Sequence, residues 1–124
     1  MRGDNIVQLK SFAFAIRIVN LYKFLISDKK EYVLSRQLLR SGTSIGANVE
    51  EAIGGQSNRD FIAKVSISYK EARETIYWIK LLHATAYLSD QEASCLLTDA
   101  EELCKILAKI LITHKSRITK DPNS

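Results

Sequence analysis

Apolar residues recur along this chain at the three- and four-residue spacing of buried helix faces, in four stretches separated by short polar breaks. The first runs over residues 5–26, and from Ile6 to Ile26 fifteen of 21 residues are apolar. On a helical projection Leu9, Ala13 and Ile16 fall on one side while Phe14, Ile18, Leu21 and Leu25 cover another. A helix apolar on so many sides has more to bury than one small bundle can cover, so the surplus face is expected at a subunit interface. The second stretch, about 30–53, places Leu38, Ile45, Val49 and Ala52 on one face, with Ser41 or Gly42 filling the skipped turn. The third, about 58–87, carries two interleaved heptad series: Ile62, Tyr69, Ile76 and His83, then Val65, Ala72, Ile79 and Ala86. Tyr77, Trp78 and Leu81 lie outside that seam and call for a second contact. The fourth, about 90–118, has Leu96, Ala100, Leu103, Leu107, Ile110 and Leu111 as its core stripe.

The breaks carry helix-end chemistry. Asp4 is placed to cap the first helix, and Asp28 with Glu31 resembles a capping box that starts the second near residues 29–32. Gly54 and Gly55 end the second helix, Ser57 opens the third, and Ser89 with Glu92 opens the fourth. Connections this short force sequential helices to run antiparallel, which predicts an all-α, up-down-up-down four-helix bundle in one domain over residues 1–124. Residues 119–124 read as a polar, frayed tail. Gly42 and Gly46, one turn apart inside a helix, each cost roughly 1 kcal/mol against alanine. Close approach of another helix explains their presence better than a ligand contact does.

The order of residues from Gln37 to Glu51 (QLLRSGTSIGANVEE), followed by Ser57, Asp60-Phe61, Lys70-Glu71-Ala72 and Glu74 to Trp78, resembles the bacterial four-helix-bundle family encoded in intervening sequences of 23S ribosomal RNA. The resemblance covers nearly the whole chain. A related protein is the accessory variability determinant of diversity-generating retroelements, which works beside a reverse transcriptase. The resemblance implies a short antiparallel bundle assembled as a homopentameric ring in the bacterial cytoplasm, with nucleic acid or a nucleic-acid-handling protein as partner.

Composition narrows the chemistry. One proline and five glycines in 124 residues favour long helices, and the formal charge of +4 favours an anionic partner without requiring one. Cys95 and Cys104, nine residues apart on one helix, are separated by roughly 13 Å of rise and cannot pair. Free thiols in a reducing compartment are the expectation. The apolar run of the first helix is interrupted by Lys10, Arg17, Asn20 and Lys23, which argues against a membrane span or a signal segment.

Neither His83 nor His114 follows a glutamate at the spacing used in di-iron bundles, and no phosphate-cradling loop or nucleophile elbow is present. No metal, cofactor or catalytic residue is therefore expected. The carboxylates Glu50, Glu51, Glu71 and Glu74 could do acid–base work, but with Arg40, Arg73 and Asn48 at helical spacings a structural network fits them better. Its expected members are Arg40, Asn48, Glu51, Glu71 and Glu74.

The basic residues are the remaining candidates. Arg36 and Arg40 lie one turn apart on the second helix, and Lys105, Lys109, Lys115 and Arg117 crowd the second half of the fourth. The acid-first, base-last order of that helix suits its dipole. It does not explain a net positive charge, which in a ring of five would total about +20 and form a collar. Arg36, Arg40, Lys105, Lys109, Lys115 and Arg117 are thus the candidate contacts to structured RNA or DNA in a non-enzymatic protein. The alternative is a protein-interaction scaffold whose charge serves only steering and solubility.

Overall fold

A computed structural model describes the backbone of residues 2–120 and the side chains of residues 6–116. Four helices follow in order: α1 (Arg2–Ser27), α2 (Leu34–Ile53), α3 (Asn58–Ala84) and α4 (Asp90–Lys120). Each packs on its neighbours in sequence, and α1 closes the square against α4. Side-chain pairs fix the directions. Gln8 meets Glu50 on α2, Arg40 meets Glu71 and Glu74 on α3, and Arg17 meets Asp99 on α4. Phe61 stacks against His114 at the far end of α4. The protein is an antiparallel, up-down-up-down four-helix bundle.

The core runs the length of the square and is built from Phe14, Ile18 and Leu25 of α1, Leu38 and Ile45 of α2, Ile79 and Leu82 of α3, and Leu103 and Leu107 of α4. Each such side chain contributes roughly 1.5–3 kcal/mol relative to exposure. The α1–α2 joint depends on the absence of a side chain. A Cβ on Gly42 would stand 2.8 Å from both Cγ atoms of Ile18, whereas one on Gly46 would meet Ser11 at 3.4 Å. The glycines therefore admit α1, and Gly42 is the tighter of the two.

The α2–α3 joint is partly polar. Ser68 donates its hydroxyl hydrogen to the Ile45 carbonyl at 2.8 Å, and the hydroxyls of Thr75 and Ser41 lie 3.0 Å apart, all of them buried. These residues hold places that a count of apolar heptad positions assigns to bulkier neighbours. Val65, Ala72 and Ile79 of the expected seam are buried, but Ile62, Tyr69 and Ile76 are half-buried. The small hydroxyl residues let α2 approach, and this turns the α3 core face towards Ser68, Thr75 and Leu82.

Helix ends depart from expectation at several points. The first helix begins at Arg2, so the backbone of Asp4 lies inside it rather than ahead of it. The second begins at Leu34, later than residues 29–32. The Glu31 carboxylate, 6% exposed, folds forward to accept from the amides of Val33 at 2.8 Å, Leu34 at 2.9 Å and Ser35 at 3.2 Å. It is thus the cap and not the inner acid of a box, while Asp28 takes the hydroxyl of Ser27. Lys30, at φ 55°, provides the break between the helices.

Helix α3 stops at Ala84 because Tyr87 N bonds to Leu82 O at 2.9 Å and Ala86 N to His83 O at 3.0 Å, the paired closure of a Schellman motif. Ala86 holds the left-handed position at φ 69° and is exposed, so it leaves the heptad. The Ser57 cap and the Ser89–Glu92 box form as expected: Asp60 N donates to Ser57 Oγ at 3.1 Å, Glu92 N to Ser89 Oγ at 3.1 Å, and Ser89 N to Glu92 Oε1 at 2.9 Å. At the other end α4 continues through Thr119 and Lys120, which were expected in the tail, and residues 121–124 lie outside the described residues.

Candidate nucleic-acid interface

The basic side chains divide by what faces them across the helix seams. Along the α1–α4 seam Lys10 pairs with Glu102 at 3.0 Å and Arg17 with Asp99, above a cleft of about 200 Å³. Along the α2–α3 seam Lys64 pairs with Glu51 at 2.9 Å, and Arg40 reaches both Glu71, at 3.1 Å, and Glu74. These cations are matched within the protomer. Arg36, Arg73, Lys105 and Lys109 are exposed and have no carboxylate within ion-pair distance among the described residues.

Of the candidate phosphate contacts, then, Arg36, Lys105 and Lys109 stand free on α2 and α4. Arg40 is held by carboxylates instead. Lys115 is exposed and engaged in an interaction of its own, and the side chain of Arg117 lies outside the described residues.

The carboxylate cluster unites three of its five expected members. Arg40, Glu71 and Glu74 meet, whereas Asn48 donates to Ser44 O at 2.8 Å on its own helix and Glu51 turns to Lys64. The indole of Trp78 completes the cluster by donating to Glu74 Oε2 at 2.9 Å. That bond, ahead of the Arg40 guanidinium, lowers the Glu74 carboxyl below the ordinary carboxylate range, and Glu74 in turn raises Arg40. Trp78 was identifiable only by its position one turn after Glu74. Arg73, which sequence spacing offers to the same network, projects to the α4 side. There it lines an open groove with Tyr69, Ile76, Glu101, Cys104 and Lys105.

The remaining titratable groups are dispersed. His83 Nε2 lies 2.6 Å from Asp90 Oδ1 across the α3–α4 turn, and buried His114 donates from Nδ1 to Ile110 O at 3.0 Å. Cys95 and Cys104 are free thiols, and burial pushes the Cys104 thiol up against the opposing influence of Arg73. No group of three or more metal-ligating side chains occurs among the described residues, and no helix there is long and apolar enough to cross a membrane.

Exposed apolar side chains cluster on α1. Leu9, Phe12 and Ile16 are 73%, 67% and 49% exposed on the face turned away from the core, with Ile6 and Ala13 beside them. Ile67 and Tyr77 are exposed at separate places along α3.

Bundle, matched seams and unmatched cations together define a small all-helical protein with a basic surface and one uncovered apolar helix face. The chain belongs to the family of 23S rRNA-intervening sequence proteins, whose family model matches residues 3–109. It is similar to a protein of unknown function from the S23 ribosomal protein family of Bacteroides thetaiotaomicron, known from a crystal structure at 1.70 Å resolution. The two share 51% sequence identity with a TM-score of 0.87, over 88% of this chain and 97% of the other. No curated protein matches the chain.

Proposed function

We propose that the protein is a non-enzymatic, cytoplasmic, self-associating bundle that binds structured RNA or DNA by its phosphates, acting as an accessory to a nucleic-acid-handling protein. The observation that carries this reading is the set of exposed cations left unmatched once the seams have closed, on a chain of formal charge +4. The family name, which refers to intervening sequences of 23S rRNA, supports the same class of partner. Self-association, as a ring of five, rests on the resemblance noted above and on the exposed stripe of α1. The carboxylates of the α2–α3 seam are occupied by Arg40 and Trp78, which favours a structural role for them over a catalytic one.

Retention of a structured RNA and of a DNA duplex at two salt concentrations tests the reading. Affinity is expected to fall with salt, at a log–log slope of about 0.9 per duplex phosphate neutralised. Reversing Lys105 and Lys109 to glutamate should weaken binding for all sequences alike, more than reversing Arg36 and Arg40, since Arg40 is already matched. An absence of retention at low salt would transfer support to a protein-docking scaffold, for which the apolar face of α1 is the available surface.

A further inference from the structure

We propose that the groove between α3 and α4 seats the sugar–phosphate backbone of a nucleic-acid strand, with Arg73 and Lys105 as the cations that hold it. This rests on the nucleic-acid reading above and assigns that activity to one place on the molecule. Acids meet bases across the α1–α4 seam at Lys10–Glu102 and Arg17–Asp99, and across the α2–α3 seam at Arg40–Glu71 and Lys64–Glu51. The α3–α4 seam differs. The ion pair His83–Asp90 closes the turn at one end, while further along Arg73 and Lys105 come from opposite helices to line one groove of about 270 Å³. The one carboxylate there, Glu101, is ion-paired to neither. Two cations that share a cleft and outnumber its one carboxylate repel each other, and an external anion relieves that repulsion.

The shape favours a polymeric anion over a small one. The groove is open to solvent, and Lys109, exposed on α4, lies one helical turn beyond Lys105. Tyr69 and Ile76 supply half-buried apolar walls, and a tyrosine ring can stack on a base or pack on a ribose without regard to sequence. No asparagine or glutamine lines the groove, so it offers phosphate contacts and little base readout. The groove shares no residue with the exposed apolar stripe of α1, which leaves that stripe available for self-association.

The test compares two double charge reversals of equal size in the full-length chain, by fluorescence anisotropy with an RNA hairpin and a DNA hairpin of the same sequence. R73E/K105E should weaken binding to both by about tenfold or more at low salt, and should reduce the magnitude of the salt slope by about 2. K23E/K30E, on α1 and the α1–α2 turn, should leave affinity within about twofold. E101Q should tighten binding by removing the one acid in the groove.

A second readout needs no substitution. Bound RNA should slow alkylation of Cys104, which lines the groove, while leaving that of Cys95, which lies beside Arg17 on the opposite flank of α4, unchanged. If R73E/K105E loses helicity, R73Q/K105Q takes its place in the same comparison. Equal losses from both double reversals, or an unchanged Cys104 rate on saturated protein, would overturn the groove and leave nucleic-acid binding standing. A parent chain that binds neither hairpin removes the nucleic-acid reading itself, and the groove with it.

Discussion

Gly42 and Gly46 sit one turn apart on α2, yet the space in front of them differs. Alanine at 42 would press a methyl into the branch of Ile18, which is fully buried and has nowhere to move. Gly42→Ala is therefore expected to cost on the order of 1–3 kcal/mol, while Gly46→Ala should be neutral or should add up to about 1 kcal/mol from helix propensity. Thermal unfolding of the two variants at one protein concentration distinguishes them. The spacing of the glycines was legible in the sequence, as was their use in close packing; their inequality was not, because it depends on where Ile18 lands. Ala86 is the reverse case. It occupies a left-handed position that glycine takes without a Cβ clash, so Ala86→Gly should stabilise the protein by about 0.5–1 kcal/mol. A lowered melting temperature would show that the α3 terminus is held by something other than its backbone closure.

At the scale of elements, the start of α2 depends on one buried carboxylate. Removing it in Glu31→Ala leaves three amides without their acceptor and should cost about 1–2 kcal/mol, more than expected for an exposed capping residue. The sequence showed Asp28 and Glu31 at box spacing but not which of them would turn inward, since the left-handed break at Lys30 reverses their roles. The α2–α3 pairing carries a pH dependence. Glu74 is depressed in the folded state by Trp78 and then Arg40, so its contribution to stability is present above the ordinary carboxylate range and is lost as pH falls through its lowered value. Trp78→Phe should flatten that acid limb in urea titrations run from neutral to acidic pH, with a loss at neutral pH below about 1 kcal/mol because Arg40 and Glu74 are solvent-screened. The heptad of α3 was visible in the sequence only in its apolar members. Ser68 and Thr75, which hold α2 by hydrogen bonds, carry no hydrophobic signal, and that is why the seam was expected a partial turn away from where it lies.

For the molecule as a whole, four helices and their order followed from the short connections and from the resemblance, because both act within a single chain. The excess of apolar surface on α1 was legible too, because it follows from the periodicity of one helix. Phe12→Asp with Ile16→Asp is expected to leave the bundle folded, as neither side chain belongs to its core, and, on the self-associating function proposed above, to yield a 14.0 kDa monomer by light scattering. A parent protein that is already monomeric at micromolar concentration would end the case for self-association. The joint between α1 and α4 has one more consequence. Its edge is held by the exposed pairs Lys10–Glu102 and Arg17–Asp99 over an open cleft, and exposed pairs hold weakly and are screened by salt. The α1–α4 seam is thereby expected to loosen ahead of the others, with α1 moving about the turn at residues 28–33. In native-state hydrogen exchange the amides of α1 should open as a separate unit ahead of α2 and α3, and added salt should widen the gap.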